Sequence, residues 1–159
     1  MASKSIADPS HPRALEAILW GGLACGVLDI TAAFIVYGFF GVKPIPLLQG
    51  IASGLLGPRA YDGGLATAFL GLLCHFFIAF SAAIVYFAAS RRLAFLMDHA
   101  VVSGFLYGPG VYFFMNQIIL PLSAIGRRPF SVKFMVIGVV IHMSCVGLPI
   151  ALAVRRYSQ

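Results

Sequence analysis

The sequence predicts an all-α integral membrane protein: one bundle of four transmembrane helices with a short interfacial or re-entrant helix between the first two. Three observations predict it. Of the 159 residues, 60% are hydrophobic and 10% are charged, whereas a soluble domain is roughly 45–50% apolar and about 25% charged. Mean hydropathy is +0.95. The apolar residues gather into four runs of membrane-spanning length, and basic residues stand between the runs as singles and pairs, where side chains meet lipid headgroups.

The chain reads as a single transmembrane domain over 1–159. Residues 1–13 are a polar tail ending in Asp8-Pro9-Ser10-His11-Pro12 and Arg13. The first span covers about 15–42, long enough at roughly 1.5 Å per residue to cross a core of about 30 Å with tilt. It runs on through Phe34, Ile35, Val36, Phe39 and Phe40 without a polar cleavage region, so it reads as an uncleaved anchor. The segment 43–63 is mostly apolar from Pro44 to Gly57 but falls short of the roughly 17–25 residues a crossing needs. Its Leu47, Leu48, Ile51 and Leu55 recur at helical spacing with Gln49 and Ser53 on another face, the pattern of a helix lying in the interface or tucked over the bundle. Spans follow at about 64–90, closed by Arg91-Arg92, and at about 100–124, where Gly108-Pro109-Gly110 predicts a kink. The last span covers about 134–154, ending at Arg155-Arg156.

Four crossings put both termini on one side. Lys4, Arg13, Arg91, Arg92, Arg155 and Arg156 lie on that side, and Lys43, Arg59, Arg127, Arg128 and Lys133 on the other. The six-to-five bias places both termini in the cytoplasm; an equal split would mean dual topology and an antiparallel homo-oligomer. The net charge of +6 is spread over span ends rather than one footprint, which excludes nucleic acid and leaves the lipid bilayer as the partner. Cys25, Cys74 and Cys145 all lie in apolar runs and read as small buried hydrophobes.

Asp29 is the one acid deep within a span. An ionised carboxylate there costs on the order of 2.5–3.5 kcal/mol, so it should face protein or water. Gly22, Gly26 and Ala33 share its helical face. His75 lies in a face of small residues that includes Ala68, Gly71, Ala79 and Ala82, and His142 has Gly138 one turn before it. Counting from the span starts puts Asp29, His75 and His142 near one depth, with Asn116 and Gln117 on the third span adding amide groups. Small residues let helices approach closely, so Gly22, Gly26, Gly71, Gly104, Gly108 and Gly138 are the packing candidates. Spans two and four share Gly-x-x-x-His, and spans one and three open with Gly-x-x-x-Gly, a pattern two repeated helical hairpins would give.

Three functions follow from the Asp and two His. A carboxylate lowers the cost of a nearby imidazolium, and His changes charge near neutral pH, which suits the proton relay of a small carrier or channel. Alternatively His75 and His142 ligate a haem iron axially, with Gly71 and Gly138 making room for the ring, or join Asp29 around a metal. The third reading is interhelical hydrogen bonding that fixes packing, without transport or cofactor. No nucleotide loop, nucleophile elbow or zinc-protease motif appears, so an enzyme is not expected.

The stretch Gly21-Gly22 through Leu28-Asp29, then Gln49-Gly50-Ile51-Ala52-Ser53-Gly54-Leu55-Leu56-Gly57, Gly63-Gly64 and His75-Phe76, resembles the small YagU-like inner-membrane proteins of bacteria. The resemblance covers about two thirds of the chain and implies a multi-pass protein of the bacterial inner membrane. It implies no catalytic residues.

Overall fold

The computed structural model describes residues 13–126 and 129–158, and all regular structure among them is helical. Lys4, Arg127, Arg128, the tail through Pro12 and Gln159 lie outside the described residues. Helix α1 spans Ala14–Phe39, an apolar stretch without proline; the chain then turns at Gly41, where φ is +79°. Pro44 opens α2 (Pro44–Leu56), where its missing N–H leaves no intrahelical bond unmade. A 3₁₀ turn follows at Gly57–Tyr61, and Gly64 starts α3 (Gly64–Ser90). A short helix, α4 (Ala94–Asp98), lies in the connection that follows α3.

The chain is helical again from 100 to 122, as α5 (Ala100–Phe114), a π turn (Met115–Ile119) and α6 (Leu120–Leu122). It is helical once more through α7 (Val132–Ile141), a π turn (His142–Gly147) and α8 (Leu148–Tyr157). Pro109 stands inside α5 without ending it. The π turns lie just ahead of Pro121 and Pro149. A proline ring crowds the carbonyl four residues back, and widening the preceding turn relieves that clash.

Among the described residues, three helices are long and apolar enough to cross a membrane: Ala14–Phe39, Gly64–Ser90 and the continuous Val132–Tyr157. The 100–122 stretch is diluted by Asn116, Gln117 and two prolines. Observed ends differ from the expected ones by a few residues: the first helix stops at Phe39 rather than 42, the third at Leu122, and the last extends over Val132–Tyr157.

The helices run alternately between two ends. At one end the Arg13 N–H donates to the Tyr157 carbonyl at 3.0 Å, and the Arg13 guanidinium, paired with Glu16, lies 5.5 Å above the Tyr157 ring. At the other end Tyr37 stacks on Phe134, with ring centroids 6.0 Å apart, and the Lys133 ammonium sits 4.6 Å over the Phe40 ring. The Ala124 N–H there donates to the Gly54 carbonyl at 2.9 Å. Helix α1 packs between α3 and the α7–α8 rod, α5 packs on the far side of that rod, and α2 lies along α3.

Small residues fill the interior, and large apolar ones cover the outside. Ala17, Ala52, Ala83 and Ala100 are fully buried, while Phe39, Phe77 and Leu65 are 85%, 74% and 73% exposed. Water would penalise that surface; lipid does not, and close helix approach over small residues is how membrane helices associate. Helix α2 follows the same rule. It buries Gln49, Ala52 and Ser53 and exposes Ile45, Leu55 and Leu56, the reverse of a helix floating on water.

The Gln49 amide N–H donates to the Gly64 carbonyl at 3.0 Å and reaches Thr67 Oγ1 at 3.4 Å, fastening α2 to the start of α3. Gln49→Leu is therefore expected to cost on the order of 1 kcal/mol, read as earlier proteolysis at Arg59 in detergent.

A candidate polar layer at mid-bundle

Contacts along α1 set the level of Asp29. Gly21 lies against Ala153 and Ile150, and Tyr37 stacks on Phe134, so in that antiparallel pairing position 29 stands opposite the π turn that begins at His142. On the other side Gly22 faces Phe80 and Gly26 faces Phe76 and Ala79, so position 29 stands near 75. Helix α5 joins the same layer, since Gly108 abuts the His142 backbone.

Sharing a level does not make these side chains touch. The His75 Nε2–H donates to the Gly26 carbonyl at 2.9 Å, one turn from Asp29, and its ring meets Phe76 edge-on. The His142 Nδ1–H donates to the Gly138 carbonyl at 2.8 Å, and its ring meets Tyr112 edge-on at 5.3 Å. Asp29 is half-buried, and no hydrogen bond or ion pair to it is formed among the described residues. Cys25, one turn before it, is 2% exposed. Asn116 donates to the Tyr112 carbonyl at 2.9 Å and lies about two turns nearer the α2 end; Gln117 is exposed.

The glycines that share a spacing meet different surroundings. Gly22 and Gly26 lie under phenyl rings, Gly138 lies under the Tyr112 ring, and Gly71 meets the α2 backbone at Leu48. Gly104 and Gly108 meet the backbone of His142, Gly147 and Leu148, where Gly147 completes the crossing from the other helix.

A haem between His75 and His142 would need open space beside Gly71 and Gly138. A Cβ at either position would overlap Leu48 O or the Tyr112 ring, and His75 already commits to Gly26 the Nε2 that would bind iron. The residues present do not fit a haem in this arrangement. Among the described residues no group of three or more His, Cys, Asp and Glu is placed to hold a metal ion.

A second polar cluster escaped the sequence reading. Tyr86, 1% exposed, has its hydroxyl 2.7 Å from Ser103 Oγ and donates to the Leu96 carbonyl at 3.1 Å; Tyr107 donates to the Ala82 carbonyl at 2.8 Å. These bonds tie α3 to α4 and α5 at the terminal end. A lone Tyr and Ser in apolar runs were the available signal, but only the tertiary pairing joins them. Tyr86→Phe is expected to lower stability by about 0.6–1.7 kcal/mol, the range for interhelical bonds in membranes, measured by denaturant titration in detergent.

Comparison of the chain with protein-family models, with curated proteins and with solved structures finds no match in any of the three.

Proposed function

We propose that the chain crosses the membrane four times, through α1, α3, 100–122 and Val132–Tyr157, with α2 in the interface, and that the Asp29 layer relays protons in a small proton-linked carrier or channel. The observation that carries this reading is Asp29 itself: a half-buried carboxylate in the middle of an apolar helix, with no protein partner among the described residues, level with His75 and His142. Intramembrane ionisable groups are costly and mark ion pathways and proton relays. The resemblance to YagU-like proteins supports a bacterial inner membrane, and the six-to-five charge bias supports cytoplasmic termini. One observation favours a second reading, a packing module without transport: both imidazoles donate to backbone carbonyls.

The experiment is proton uptake into proteoliposomes of the purified protein, driven by a potassium-diffusion potential. The relay reading expects uptake above that of protein-free vesicles. Uptake equal to that of empty vesicles leaves the packing module.

A further inference from the structure

We infer that the bundle is closed on the terminal side of the Asp29 layer and open to water on the α2 side, so that protons reach Asp29 from the end that carries residues 40–63. The inference rests on the relay reading above and adds its sidedness. Toward the α2 end, buried positions in three helices stop at this layer: in α1 the last is Ile30, in α5 the last is Gly108, and α7 has none. Those that continue, Ala68 and Gly71 in α3 with Gln49, Ala52 and Ser53 in α2, lie where α2 packs along α3. Past the layer toward the termini, α8 buries Ile150, Ala151 and Val154, and Tyr86 with Ser103 fastens α3 to α5. On the α2 side α1 and α7 are bridged by the Tyr37–Phe134 ring stack, and Tyr112 and Asn116 are only half-buried.

Asp29 supplies the reason that water enters this half. An ionised carboxylate at mid-membrane must meet protein donors or water. The protein gives it no hydrogen bond among the described residues, and the terminal half is filled by a continuous cluster of buried side chains that includes Ala17, Cys25, Ala83, Ile150 and Val154. Water on the α2 side remains. The carboxylate takes a proton from a hydronium ion there, leaving water and a neutral carboxyl, and returns it by the reverse step.

The test is thiol labelling in oriented vesicles with a water-soluble maleimide, applied to each face separately. Cys25→Ala, Cys74→Ala and Cys145→Ala remove the native thiols. Ala33→Cys then reports the open half and Ile35→Cys the lipid-facing side of the same helix. The protein with only Cys74→Ala and Cys145→Ala reports the closed half through native Cys25.

Because maleimide needs the thiolate, and thiolates form in water rather than in apolar surroundings, Ala33→Cys should react on the order of tenfold faster than Ile35→Cys or Cys25. It should do so from the α2 face alone. Ala33→Cys reacting no faster than Ile35→Cys, or reacting from the terminal face, overturns the inference. One-sided labelling in a protein that moves no protons keeps the opening and rejects the relay, so the two failures are distinguishable.

Discussion

Asp29→Asn is expected to reduce proton uptake to the level of protein-free vesicles while leaving the folded yield in detergent unchanged. Asn matches the carboxyl group in shape and still hydrogen-bonds, through one accepting oxygen and a donating NH2, but cannot take up and release the proton. Asp29→Leu should also fold, because the described residues give Asp29 no hydrogen bond to lose and leucine suits an apolar span. His75→Leu differs: it removes the donor to the Gly26 carbonyl between α3 and α1, so it should lower stability as well as uptake. Circular dichroism in detergent beside the flux assay separates the effects. Unimpaired uptake in Asp29→Asn would place any relay elsewhere. Unfolding of Asp29→Leu would make the carboxylate a packing group.

Gly147→Leu is expected to yield no folded protein. The π turn brings the Gly147 backbone against α5, and a Cβ there would overlap the Gly104 carbonyl oxygen and stand 2.5 Å from the Gly108 nitrogen. Both obstacles are backbone, so no side chain can swing aside, and the two helices must separate. Gly108 is nearly as tight, since a Cβ there would overlap the His142 carbonyl. Overpacking typically costs about 1–3 kcal/mol and occasionally more; a backbone clash at a crossing belongs at the upper end. Gly147→Ala, which adds the same Cβ, should already lose most of the folded yield, whereas Gly110→Ala, with nothing within 4 Å of the added atom, should be neutral. Folded yield by size-exclusion chromatography checks all three.

The helical architecture was legible because lipid imposes a simple rule: apolar runs of the right length, with cations at their ends. Helix α2 shows where the rule misleads. An amphipathic pattern suggests a polar face turned to water, yet both polar residues turn inward: Gln49 bonds to Gly64 and Thr67 of α3, and Ser53 donates to the Gly50 carbonyl of its own helix. The π turns were not legible, since Pro121 and Pro149 signal local irregularity without saying whether the helix breaks, kinks or widens. Gly-x-x-x-Gly announces a close approach but not its partner: Gly22 and Gly26 receive phenyl rings, while Gly104 and Gly108 receive another backbone. Asp29 was found from hydropathy alone. Its level with His75 and His142 follows from counting along the spans; that the three side chains do not touch depends on helix rotation and packing, which spacing along one chain does not encode.

All of this depends on α1 and α3 crossing the membrane in opposite directions with 43–63 returning to the same face between them. Cysteines placed singly at Lys43 and Gly63, labelled with an impermeant maleimide from each face of the membrane, test that directly. The account predicts that both react from one face, the face opposite to a reporter fused at Gln159. Reaction of Lys43→Cys and Gly63→Cys from opposite faces would mean that α2 crosses, and would contradict the four-crossing bundle and the shared depth of Asp29, His75 and His142.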